Sequence, residues 1–194
     1  MPFPDELAAV AVVDYQPQWA VDFERLAGKL RSAMGDHARA IDHVGSTAVP
    51  GLAAKDCVDM QVLVDAIDED RHISLLAAMG FRCRPEAWNR AEVSGGQECR
   101  KLVFAPPAGA RRSNVHLREV GGPNVRFALL FRDYLRADED ARLAWGAFKK
   151  RLSLSVPDLL DYGQIKAPAT VVLMTAAERW AAETGWRPTP SRVV

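Results

Sequence analysis

No apolar run in this 194-residue chain approaches the ~18 residues that a membrane-spanning helix needs, so neither such a helix nor a membrane partner is expected. The first ten residues, MPFPDELAAV, carry no basic region ahead of an apolar core. No secretory signal is therefore expected, and the reading is of a cytoplasmic protein. Cysteine is scarce. Cys57, Cys83 and Cys99 are too few and too scattered for a disulfide framework or a zinc site, and are read as buried free thiols. The phosphate-binding pattern G-x-x-x-x-G-K-[ST] does not occur, and GLAAK at Gly51–Lys55 is no substitute for it. Repeats and low-complexity segments are also missing. With 48% hydrophobic residues, the chain can bury on the order of ~70% of its unfolded surface, which suits a single domain with a helical appendage.

Charge of one sign is lacking overall, at 25 Lys/Arg against 25 Asp/Glu, but its distribution is uneven. Residues 1–70 hold 5 basic against 13 acidic side chains, whereas residues 71–118 hold 9 against 3. The basic middle includes Arg82, Arg84, Arg90, Arg100, Lys101, Arg111, Arg112 and Arg118. Folded beside one another these would favour an anionic ligand; the alternative is a solvated strand face. They are too dispersed for a nucleic-acid stripe, so duplex nucleic acid is not an expected partner.

Hydrophobic spacing orders the chain. Trp19, Phe23, Leu26, Leu30 and Met34 recur at helical intervals, and Gly35 supplies a stop. Residues 38–44 read as a strand running into Gly45-Ser46. Pro50-Gly51 breaks the chain, and residues 57–64 (CVDMQVLV) read as a strand covered on both faces. Asp59 and Gln61 share one face of it, because side chains alternate along a strand. A helix through Ile73, Leu76 and Met79 ends at Gly80. Residues 81–120 look like β structure: 81–84 and 99–105 read as strands joined as a hairpin through a turn at Ser94-Gly95-Gly96, and an alternating last strand, NVHLREV, puts Val115 and Leu117 opposite His116 and Arg118. From Val125 to Gly185 the pattern is helical. Asp138 is a plausible cap, a last helix starts near Pro157-Asp158, and Pro168 is expected to kink or restart it. The prediction is one domain over 1–185, with an α/β core at about 10–122, a helical part at about 123–185 and a frayed tail at 186–194. Its class is α+β: a mixed sheet backed by helices, followed by C-terminal helices.

The chemistry concentrates at Ile41–Val64. A Gly-Ser turn can offer backbone N–H groups to a phosphate, and a strand-borne Asp can hold a divalent cation beside it. A Gly-Ser turn followed by a strand bearing Asp-x-Asp is the arrangement of nucleotidyltransferase-fold enzymes, where paired carboxylates hold Mg²⁺ for in-line attack. Here Gln61 stands where the second carboxylate would be, and could offer only an uncharged carbonyl.

The segment HVGSTAVPGLAAKDCVDMQVLV resembles the signature of the GrpB family, also called uncharacterised protein family 0157. VVDYQPQWAVDFERL, NVHL, LLFRDYLRADEDARLAWGAFKKRL and DYGQIKAPATVVLMTAAERW extend the resemblance over nearly the whole chain. It implies a nucleotidyltransferase-like fold with trailing helices, and a link to coenzyme A biosynthesis through relatives fused to dephospho-CoA kinase. On that reading Gly45, Ser46, Lys55, Arg132 and Lys166 are nucleotide-binding candidates. Asp59 and Gln61 are candidate ligands for Mg²⁺, and Asp59 and His116 are candidate catalytic residues, His116 orienting or deprotonating the acceptor. Each has a structural alternative: turn glycines, a carboxylate satisfied by Lys55, and an ion-pair network through Arg132, Asp133 and Arg136. Two functions follow. One is a transferase acting on a nucleotide or other phosphorylated small molecule; the other is a catalytically silent accessory domain that binds a nucleotide or coenzyme A-like ligand, or assists a partner protein.

Overall fold

The computed structural model describes residues 3–6 and 9–189. In chain order the elements are β1 (Val12–Val13), α1 (Gln18–Met34), β2 (Ala40–Val44), β3 (Ala54–Lys55), β4 (Val58–Val64), α2 (Glu69–Ala78), β5 (Arg82–Cys83), β6 (Ala91–Ser94), β7 (Gln97–Ala105), β8 (Ser113–Glu119), α3 (Pro123–Ala137), α4 (Glu139–Ser155) and α5 (Leu159–Thr184). The main sheet runs β2-β4-β8-β7-β5, with β6 hydrogen-bonded to β7, and β1 and β3 form a separate two-stranded ribbon. β4 and β8 are parallel, and the other pairs are antiparallel. The fold is α+β with a mixed sheet.

Alternation along β4 and β8 gives the sheet two unlike faces. Val58, Met60, Val62 and Val64, with Val115 and Leu117, face the main core, where Trp19, Phe23, Ala27, Leu30 and Met34 of α1 and Leu76 of α2 cover them. Each large side chain so buried contributes roughly 1.5–3 kcal/mol. The opposite face carries Asp59, Gln61, Asn114, His116 and Arg118 in register, Asp59 opposite Asn114 and Gln61 opposite His116. On this face Ala40, Val44 and Leu63 pack on Val125 and Leu129 of α3. A second cluster, including Leu130, Leu135, Trp145, Met174 and Ala177, ties α3, α4 and α5 together. The helical part thus lies over the polar face of the sheet.

Local signals account for most element ends. Asp138 caps α4 by accepting from the Ala141 N–H, and Asp158 caps α5 by accepting from the N–H groups of Leu160 and Asp161. Gly185 ends α5 in the left-handed conformation.

Three expectations need correction. The 94–96 turn joins β7 to β6 rather than to the strand near residue 82; β5 pairs with the far end of β7, Arg82 opposite Ala105. Of the kink or restart expected at Pro168, the restart does not occur: α5 runs from Leu159 to Thr184 with Pro168 inside it. In the expected tail, Trp186 folds back onto Trp180, its ring nitrogen donating to Asp133 at 3.2 Å. Residues 190–194 of that tail lie outside the described residues.

Candidate ligand-binding site

Between the polar sheet face and the helical part lies an open pocket of about 360 Å³. The Gly45-Ser46 turn forms one wall. Gly45 has φ +69° and ψ −168°, and a Cβ there would sit 2.8 Å from an Asp59 carboxylate oxygen. Only glycine permits both that backbone conformation and that approach. The turn is fixed from both sides. His43 stacks on Phe23 at 4.7 Å and bonds Thr47 Oγ1 at 3.0 Å, while the Arg136 guanidinium donates to the Ala48 carbonyl. Burial, with Arg136 and Arg132 nearby, pushes the His43 imidazole down to about 4.

Lys55, Lys149 and Lys166 line the pocket from β3, α4 and α5, against a single carboxylate, Asp59. The Lys149 ammonium is almost wholly buried and donates to Ser46 Oγ at 2.8 Å and to the Ala53 carbonyl. Burial, reinforced by Lys166 and Lys55, lowers it to about 7. Lys166 is lowered for the same reason, burial first and the Lys55 charge second. Lys55 lies over the Tyr162 ring, 5.6 Å from its centroid. Phe127, 39% exposed despite its place in the helical stripe, faces this space with Phe131.

On the sheet side, Asn114 Nδ2 donates to Asp59 Oδ1 at 2.8 Å and to the Cys57 sulfur at 3.4 Å. Burial and the Asp59 charge raise the Cys57 thiol to about 12, which leaves it unreactive. His116 also lines the pocket. Burial, with Arg118 and Lys101 beside it, takes its imidazole down to about 3, and its Nδ1 is buried without a hydrogen-bond partner. So low a basicity suits a neutral hydrogen-bonding group better than a base working near neutral pH.

The structure therefore brings Gly45, Ser46, Lys55, Asp59, His116 and Lys166 to one pocket. Two candidates lie elsewhere. Gln61 is fully buried, its amide nitrogen donating to Asp42 at 3.0 Å and its oxygen accepting from Arg118 at 2.9 Å. With both ends engaged in a buried network, it does not reach the pocket as a metal ligand. Arg132 is buried too, bonded to Asp133 at 2.7 Å and to the His43 carbonyl, so it supports the turn from behind rather than meeting a nucleotide. Among the described residues no group of three or more His, Cys, Asp or Glu is arranged to hold a metal ion.

Most arginines of the basic middle do not reach the pocket. Arg82 pairs with Asp5, Arg84 with Glu6, Arg90 with Glu69, and Arg111 with Asp22 and Asp56. Acidic residues between 5 and 69 pair with these four, while Glu92 and Glu119 pair with Lys101, Arg118 and Arg100. Arg118 of β8 does line the pocket, but it is tied to Gln61 at 2.9 Å and to Glu92 at 3.3 Å; the lysines of the lining come from β3 and the C-terminal helices. Lys149 had no signal beyond its place in the WGAFKKRL segment, since nothing in helical spacing tells a buried lysine from a solvated one.

The sequence model of the GrpB protein family matches residues 9–175. The chain belongs to the GrpB family. A family member from Streptomyces coelicolor, a UPF0157 protein, is 33% identical over 175 residues, covering 89% of this chain and 86% of its own length. The dephospho-CoA kinase of Mycolicibacterium paratuberculosis is 34% identical over 199 residues, covering 93% of this chain and 49% of its own, so the chain spans about half the length of that relative. The crystal structure of conserved protein GrpB from Enterococcus faecalis superposes with a TM-score of 0.72 at 26% identity, covering 88% of this chain and 99% of the other. The looser likeness to Cid1, TM-score 0.46 at 16% identity over 68% of this chain and 39% of the other, is one of fold only.

Proposed function

We propose that this GrpB protein binds a phosphorylated small molecule of the nucleotide class in the pocket beneath its C-terminal helices. The observation that carries the reading is the charge of the lining: three lysines, two of them largely desolvated, face one carboxylate. Such a lining favours an anion, because ammonium groups held in a partly water-excluded site interact with charge more strongly than in bulk water. Lys55 and Lys166 meet phosphate oxygens beside the Gly45-Ser46 turn, and Phe127 and Phe131 offer an apolar wall to a base. The pocket's volume lies within the range of small-molecule sites.

Metal-assisted transfer of a nucleotidyl or phosphoryl group has less support. Mg²⁺ favours several oxygen ligands, usually including carboxylates. Here Asp59 shares its surroundings with an amide, a thiol and three ammonium groups, a donor set that does not fit the ion. Similarity to a domain within dephospho-CoA kinases makes dephospho-CoA the first ligand to try.

The test is calorimetric titration with dephospho-CoA, ATP, GTP, CTP and UTP, each with and without Mg²⁺. At least one should bind without Mg²⁺. Lys166→Ala should weaken it roughly 10- to 100-fold, the loss of one charged hydrogen bond of about 1.5–3 kcal/mol. Binding that requires Mg²⁺ and disappears in Asp59→Ala would instead restore the metal-assisted reading. Failure of every compound to bind would refute the nucleotide reading.

A further inference from the structure

We propose that Ser46 is a nucleophile, with Lys149 as its base, in acyl transfer from a thioester whose carrier bears phosphates. The substrate class rests on the ligand reading above; the nucleophile rests on its own geometry. Ser46 Oγ lies 2.8 Å from Lys149 Nζ. A third group, the Ala53 carbonyl, accepts from the same nitrogen and fixes its direction. That is the general arrangement of an activated nucleophile: hydroxyl, base within hydrogen-bond reach, and an orienting partner behind the base. Ser46 opens the turn that follows Gly45, and both it and the almost wholly buried Lys149 line the pocket.

The base must be neutral to work, and its surroundings favour that form. Burial dominates; Lys166 from α5 and Lys55 from β3 push in the same direction, and Asp59 from β4 opposes them. The outcome is an amine that titrates at about 7. Once neutral, it can keep one N–H on the Ala53 carbonyl and turn its lone pair to the Ser46 hydroxyl.

The step balances without a metal or redox partner. As Ser46 Oγ adds to the acyl carbon, its proton passes to Lys149 Nζ. The carbon–sulfur bond then breaks, its electron pair leaves with the sulfur, and Lys149 returns the proton to the thiolate, leaving an acyl ester on Ser46. Water hydrolyses that ester to the carboxylic acid and restores the serine.

The experiment is acylation of the full chain by p-nitrophenyl acetate and by acetyl-coenzyme A, followed by intact mass and peptide mapping. Both reagents should place one acetyl group on Ser46. The rate should rise about tenfold from pH 6 to pH 8, the change in neutral fraction of a base titrating at about 7. Ser46→Ala should abolish the adduct. Lys149→Met and Lys149→Arg should slow it by about a hundredfold or more, the ordinary worth of a general base, provided each variant melts cooperatively. Ser46→Ala keeps the test decisive if neither lysine variant folds. An adduct on a lysine, no adduct together with no release of p-nitrophenol above the Ser46→Ala level, a pH-independent rate, or an unchanged rate in Ser46→Ala would each overturn the assignment. Calorimetry of dephospho-CoA on the same sample separates the two failures: binding without acylation sinks the nucleophile alone.

Discussion

Gly45→Ala is the sharpest probe of how the site is built. Two costs arise at that position. An alanine at φ +69° and ψ −168° occupies a region that L-residues rarely adopt, at about 1–3 kcal/mol. Its Cβ would also stand 2.8 Å from Asp59 Oδ2, 3.1 Å from Asp59 Cβ and 3.4 Å from Asp59 Cγ. The carboxylate cannot retreat freely, because its other oxygen accepts from Asn114 at 2.8 Å on the neighbouring strand. Displacing it sacrifices a charged hydrogen bond of about 1.5–3 kcal/mol. Together these predict a loss of roughly 3–6 kcal/mol in urea unfolding followed by circular dichroism. Gly96→Ala is the control: φ is +75° there too, but nothing lies within 4 Å of the added atom. It should show a backbone cost without the clash. A second control, Asp59→Gly in the Gly45→Ala background, should restore part of the loss by making room. If Gly45→Ala and Gly96→Ala cost the same, the close packing of turn against carboxylate is not what fixes glycine at position 45.

Acid should erode stability well above the carboxylate range. His116 takes a proton near 6.5 when unfolded but only at about 3 when folded, and His43 at about 4, so the unfolded chain binds more protons between those limits. Stability should therefore fall as pH drops from 6.5 towards 4, and His116→Asn should flatten that slope in urea midpoints measured at pH 7.5 and 5.0. A slope unchanged by the substitution would count against a neutral buried imidazole. Arg111 bridges buried Asp22 and exposed Asp56, and Asp56 also accepts from the Trp19 ring nitrogen at 2.7 Å. Arg111→Ala should cost about 1–3 kcal/mol in the same assay, because a buried carboxylate loses a partner.

Much of this molecule was legible in the order of its residues. Period-3.6 spacing marked α1, alternation in NVHLREV separated Val115 and Leu117 from His116 and Arg118, and Asp138, Asp158 and Gly185 marked helix ends by chemistry that acts within one turn. The Gly-Ser turn and the strand that carries Asp59 were legible for the same reason. Gln61 and Arg132 were misread because a polar residue on the correct face is equally suited to a ligand and to a buried partner; the registers of β2 with β4 and β4 with β8 decide it for Gln61, and the packing of α3 on the His43 carbonyl decides it for Arg132. β6 was missed because four residues held by pairing with β7 carry little signal of their own. Lys55 and Lys166 were legible as candidates through the family resemblance, but which arginines stay out of the pocket was decided by tertiary structure: acidic side chains from residues 5–69 reach across the fold to pair with Arg82, Arg84, Arg90 and Arg111. Lys149, more than a hundred residues from Ser46, becomes a buried amine only when α4 settles over the sheet. Local sequence fixes which groups are available; desolvation and pairing, which depend on the whole fold, decide what those groups can do.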